Sequence, residues 1–203
     1  MLFLASLWHS VYSAVSVSTP VIRQSRLQRV STAGAPGMIL PASASPTESA
    51  GVQVHMAHKD TYDSLTKYCT AEYYGKFDGL DALDDEDDAA AMAWGSPWKV
   101  PSMDQCKELI NSSYTTTEWT TLNGKYGRKI TSKTNGNSVF LPAAGTRSGK
   151  SLDNAGSYGD YWSRTLHPYN SLNVYFLYFS PNGISTDYYV RSRGQSVRPV
   201  HVP

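Results

Sequence analysis

Three groupings of side chains in this sequence have residue types that can do chemistry, and their spacing supports them unequally. Ser163, His167 and Asp160 form a nucleophile–base–acid triple on paper. No G-x-S-x-G elbow surrounds the serine, and a chain of 203 residues with five histidines offers such triples by chance. Hydrolysis is therefore not expected. The second grouping is acidic: seven of the eleven residues from Asp78 to Asp88 are Asp or Glu. Hard cations such as calcium take clustered carboxylates, but no D-x-D-x-D-G loop is present. The run leads into DDAAAMAW (87–94), whose alanines favour helix, so acids that cap a helix and complement its dipole are the stronger reading. The third grouping is Cys69 and Cys106, whose spacing matches no zinc pattern. They form either one disulfide, on export, or two buried thiols. No catalytic residue, metal site or cofactor is expected.

The last forty or so residues are of a different kind. VYFLYFS (174–180) and ISTDYYVRS (184–192) are strand-like runs joined by the turn residues Pro181, Asn182 and Gly183. Side chains alternate across a strand with period two. Tyr175, Leu177 and Phe179 thus share one face, and Phe176, Tyr178 and Ser180 the other. One face can pack inward while the other shows aromatics to solvent. Exposed Tyr and Phe are costly unless something uses them, which points to binding. Tyr gives contact area for little rotamer entropy, while Ser, Asp and Arg add adaptable hydrogen bonds, the mixture found in antibody loops. Asp187 beside Tyr188 and Tyr189 has hot-spot composition. The competing reading is plain half-buried sheet, since aromatics favour strands. Adjacent Tyr188 and Tyr189 cannot both face inward, whereas Tyr161 and Trp162 read as core. Arg191 and Arg198 read as internal struts, through their fork of donors.

The elements that hold this region follow from local signals. A helix within 87–94 ends at Gly95 and Pro97, and Trp98 resumes in extended conformation. Ser102 with Gln105 makes a capping box for MDQCKELINS (103–112), where Met103, Cys106, Leu109 and Ile110 form an apolar stripe. Asn123-Gly124 predicts a hairpin within 118–134, and Asn135-Gly136 a second turn before the apolar strand SVFLPAAG (138–145). Ser148 to Asp160 reads as a surface loop. Two helices followed by strands suit an α+β domain over 58–203. Residues 1–57 hold three Arg and a single acid, Glu48, and read as an arm: a signal-like apolar run at 1–16 without a basic n-region, then a linker at 35–51 rich in small residues and Pro. No stretch reaches the roughly twenty apolar residues that span a bilayer. A net charge of +1 gives no pull toward nucleic acid or anionic membrane.

Five motifs in order carry a resemblance to a known family: AAAMAWGSPWKVPS (89–102), a helix around CKELIN (106–111), KITSKTNGNSVFLPAAGTR (129–147), GSYGDYWS (156–163) and GQSVRPV (194–200). The segment from about Asp87 to Val200 resembles the Fibrobacter succinogenes major paralogous domain family, common in gut Bacteroidetes. That resemblance implies a C-type-lectin-like fold related to formylglycine-generating enzymes. It also implies similarity to the variable target proteins of diversity-generating retroelements, whose C-terminal strands hold the ligand-contacting positions. Leu177, Phe179, Ile184 and Arg191 match constant positions and read as scaffold. Phe176, Tyr178, Ser180, Ser185, Asp187, Tyr188, Tyr189, Ser192 and Arg193 match changeable ones, joined by His167, Tyr169 and Leu172 from the preceding loop. The family's opening strand and YYAWGE-like motif are missing upstream of Lys59, so an incomplete or mis-read N-terminal part is one expectation. The cysteine pair of the related oxidases belongs near the C-terminus, whereas both cysteines here precede residue 107, so their activity does not carry over. The E-P-N or Q-P-D signature of calcium-bridged sugar binding is also absent. The expectation is a non-enzymatic, receptor- or adhesin-like protein at the cell surface or outside the cell, with a protein or glycan ligand. The alternative is an accessory envelope protein whose patch is buried against a partner.

Overall fold

A computed structural model describes residues 65–202 and the backbone of a two-residue strand, β1 (Gln53–Val54). Apart from β1, the expectations for residues 1–57 lie outside the described residues.

Local capping sets the helices. In α1 (Ala89–Trp94) the Asp88 carboxylate accepts hydrogen bonds from the Ala90 and Ala91 amides, and Gly95 closes the C-terminus. The expected role for the acidic run is realised at this one residue. Helix α2 (Met103–Leu109) begins with the full Ser102–Gln105 capping box. It stops at Leu109, short of the predicted 112, and Met103, Cys106 and Leu109 are buried as the stripe required. A 3-10 turn at Glu72–Tyr74 and strand β2 (Trp98–Lys99) complete the first half.

The strands then follow almost without interruption. β3 (Thr115–Leu122) and β4 (Lys125–Ser132) form the expected hairpin, with Asn123 and Gly124 both at positive φ, 51° and 74°. β5 (Ser138–Pro142) pairs with β4 to finish a three-stranded sheet. The predicted loop after Ser148 is instead partly a hairpin, β6 (Thr146–Ser148) with β7 (Ser151–Asp153). Its strands are too short for alternation to reveal. β8 (Gly159–Leu166), β9 (Asn173–Ser180), β10 (Gly183–Val190), β11 (Gln195–Ser196) and β12 (Val200–His201) end the chain.

The main sheet has the order β1-β11-β8-β9-β10, antiparallel except where β11 runs parallel to β8, and β12 pairs with β2 separately. The architecture is α+β, with two α-helices and mostly antiparallel sheets among the described residues.

Both faces of this sheet are covered. Tyr161, Leu177 and Phe179 pack with α2 and with Ile130, Val139 and Leu141 of the three-stranded sheet. Trp162, Val174 and Phe176 pack on the opposite side with Tyr68, Leu83 and Ala89. Each large side chain so buried contributes about 1.5–3 kcal/mol. Tyr161 and Trp162 are core, as expected. Arg191 is the expected strut: nearly fully buried, it donates to the Tyr68 and Lys67 carbonyls at 2.9 and 3.2 Å. Arg198 is half-buried, with no hydrogen-bond partner among the described residues. Cys69 and Cys106 are free, buried thiols in different parts of the core, so no disulfide forms. Burial pushes the Cys106 thiol up to about 12.

Candidate functional site

The β9–β10 hairpin sorts the twelve expected contact residues by face. Opposed residues in an antiparallel pair share a face, and the register joins Tyr175 to Tyr188, Phe176 to Asp187, Leu177 to Thr186 and Tyr178 to Ser185. Tyr188 therefore lies on the α2 side, while Tyr178, Ser185, Asp187 and Tyr189 lie on the Trp162 side. The expected single outward surface is divided in two, wrapped around the free edge of β10.

On the α2 side, the His167 ring is the hub of an aromatic cluster. Ring centroids of Tyr188, Tyr175 and Tyr169 lie 4.6, 5.5 and 6.4 Å from it. His167 Nδ1 accepts a hydrogen bond from the Tyr169 amide at 3.3 Å, and Asn170 Oδ1 accepts from the Leu172 amide at 3.0 Å, so the loop after β8 is tied by its own side chains. Tyr169 is 83% exposed and Tyr188 47%, whereas Leu172 is half-buried. Tyr175, expected to face inward, packs on the core and also stacks on His167 at the rim. Its place near the start of β9, between the core and the His167 loop, is what alternation alone could not show.

On the other side, Phe176 is a correction. At 9% exposure it belongs to the core with Trp162, because residues 65–90 cover this face of β9. Tyr178 is half-buried, its ring 5.5 Å from that of Phe176. Ser180 is a turn residue: its carbonyl accepts from Arg128 at 2.7 Å and its hydroxyl from the Asn182 amide at 3.2 Å. Ser185, Asp187, Tyr189 and Ser192 are exposed. Asp187 Oδ1 accepts from the Tyr188 amide at 2.8 Å, which blunts part of the strand's free edge. Arg193 lies over the Tyr189 ring at 5.7 Å and 3.9 Å from Asp153. That pairing adds to the structure of the rim and leaves Arg193 less free to meet a ligand than expected.

The other candidate groupings resolve into structure. Ser163 Oγ is buried and donates to the Tyr175 carbonyl at 2.8 Å, so the Ser163–His167–Asp160 triple is not assembled. Asp84, Glu86 and Asp87 come together closely enough to hold a metal ion, but the Lys67 ammonium sits among them at 3.0, 2.8 and 2.6 Å. Desolvation alone would lower the Lys67 pKa; the three carboxylates reverse that and raise it above its ordinary value. Burial and the Asp87 carboxylate push the Tyr68 phenol up to about 12. A lysine does here what a cation would do elsewhere. Asp88 also holds the Val100 amide, and Asp78 holds the amides of Tyr68, Cys69 and Leu80.

A shallow depression of about 500 Å³ beside α2 is lined by Lys99, Asp104, Gln105, Glu108 and Arg164. Its basic groups are engaged, Lys99 with Asp85 at 2.5 Å and Arg164 with the Leu83 carbonyl. Among the described residues no helix is long and apolar enough to cross a membrane. Comparison with protein-family models, with curated proteins and with solved structures found no match.

Proposed function

We propose that this chain is a non-enzymatic binding protein with a C-type-lectin-like fold, using the rim of its main sheet to hold a protein or glycan ligand outside the cell or at its surface. The observation that carries the reading is the exposure of Tyr169, Tyr188 and Tyr189 on or beside an edge strand paired over its whole length with β9, which holds Val174, Phe176, Leu177 and Phe179 in the core. Rings held on such a strand lose little entropy on contact, and their apolar faces suit either a protein side chain or a sugar ring. Resemblance to the variable target proteins supports the same positions, except Phe176.

A second reading is favoured by the free edge of β10. Eight residues long and without Lys or Pro, it is a template for strand pairing with a neighbouring envelope subunit. One experiment separates the two. A glycan and protein array is probed with the wild-type chain and with a Tyr188→Ser/Tyr189→Ser variant. Binding that the variant loses supports the rim as the ligand site. An array with no ligand, together with self-association or co-purification through β10, supports the second reading.

A further inference from the structure

On the Trp162 side of the sheet, the Asp160 carboxylate has no partner among the described residues. It sits on β8 opposite Tyr178, which is in turn opposite Ser185, so the three form a row across β8, β9 and β10 on one face. Asp187 lies on the same face one row along, opposite Phe176. On the other flank, Ser196 pairs in parallel with Tyr161, which places Gln195 beside Asp160. Val197, two residues on, packs with the Trp162 cluster and fixes the face. Gln195 is 1% exposed, and its Oε1 has no hydrogen-bond partner among the described residues.

The Asp160 carboxylate is half-buried and has neither a hydrogen bond nor an ion pair among the described residues. Three other carboxylates withdrawn from solvent are used: Asp88 by three amides, Asp78 by three more, and Asp87 by Lys67 and Tyr68, while Glu108, beside α2, is half-buried and its pKa is likewise raised by burial. A desolvated carboxylate with no partner is unfavourable in the free protein. Burial pushes its pKa up to about 6, with no counter-charge offsetting it. The titratable groups nearest by register are Tyr178 on β9, Asp187 on β10 and Tyr161 behind it. None of these is cationic; Arg198 acts electrostatically on Tyr161, and no basic group offsets the burial of Asp160.

We infer that Asp160 is a ligand anchor, accepting a basic side chain of a protein partner laid between Asp160 and Asp187, over the Tyr178 ring. Two carboxylates and an aromatic face are complementary to one guanidinium or ammonium, through charge-assisted hydrogen bonds and cation–π contact. The inference rests on the binding role proposed above and specifies the chemistry of the partner: protein, and basic at the point of contact.

The test uses the full chain and two small probes, N-acetyl-argininamide and its neutral isostere N-acetyl-citrullinamide, followed by NMR at the Asp160 carboxyl carbon. Without probe the carboxyl is expected to titrate at about 6. The arginine probe is expected to lower that midpoint and to bind about tenfold more tightly than the citrulline probe, as one charge-assisted contact provides. Asp160→Asn is expected to erase the difference between the probes while leaving the chain at least as stable, a combination that a merely structural residue would not give. Equal binding of the two probes overturns the inference, as does an arginine effect confined to resonances around His167 and Tyr169. A midpoint already in the ordinary carboxylate range without probe also overturns it, since the chain then supplies its own cation. An array ligand that depends on Tyr188 and Tyr189 but is indifferent to Asp160 sinks this inference alone. Probe selectivity with no array ligand instead sinks the rim as the ligand site.

Discussion

Strands β9 and β10 are each eight residues long and pair along their whole length, yet one is core and the other surface. In β9 both faces are covered: Leu177 and Phe179 by α2 and the three-stranded sheet, Val174 and Phe176 by residues 65–90. β10 reaches past both covering layers, and Asp187 through Val190 are exposed in succession. Position within the sheet and composition act together: β9 (NVYFLYFS) is central and rich in large apolar residues, and β10 (GISTDYYV) lies at the edge with Ser, Thr and Asp among its residues. The rim is supported because its neighbour is part of the core, and exposed because no described strand pairs beyond β10.

The largest effect that sharpens this contrast is expected at Phe179. Its ring is fully buried, stacks on Tyr161 at 5.9 Å and lies against Gly159, where any side chain would collide with it. Phe179→Ala should cost about 3–5 kcal/mol in urea unfolding. A loss below about 1 kcal/mol would mean that β9 is not the packed support the rim needs. Tyr178, half-buried between the two regimes, should cost about 1–2 kcal/mol as Tyr178→Ser.

Asp160 comes next, with the opposite sign. Its folded-state pKa is raised to about 6 by burial, so between the unfolded value and that midpoint the folded chain binds more protons than the unfolded one. Stability therefore falls as pH rises through the range from about 4 to about 6, and stays lower above it. Asp160→Asn should remove that slope and raise stability at neutral pH by on the order of 1–2 kcal/mol. Chemical denaturation across pH measures both. A variant less stable than the wild type at neutral pH would show that the carboxylate has a partner. A binding group that is held at a cost to stability fits the common trade-off between the two.

What was legible in the sequence was local. The capping box of Ser102 and Gln105, the Asp88 cap and the Asn123-Gly124 hairpin each depend on residues a few positions apart, and all form as read. Tyr161 and Trp162 were legible as core from their size, and Leu177 and Phe179 as scaffold from the positions they match in the resembling family. Layers were not legible. The cover over Phe176 comes from Tyr68, Leu83 and Ala89, and it is locked by Arg191 donating to the Tyr68 carbonyl across a sequence separation of 123. No period within one strand reports how many sheets or loops pack on it, so Phe176 read as exposed. Tyr188 and Tyr189 were grouped as one surface although period two already places adjacent residues on opposite faces. Asp160 attracted notice only as part of a paper triple, because the absence of a partner is a property of three dimensions.

The most direct test of the central claim is the Tyr188→Ser/Tyr189→Ser variant, with unfolding free energy and binding to an array-identified ligand measured on the same preparation. Because these rings are 47% and 42% exposed, stability should change by less than about 1 kcal/mol per ring while binding falls by at least about tenfold. A loss of several kcal/mol, or binding that persists unchanged, would contradict a rim built for recognition.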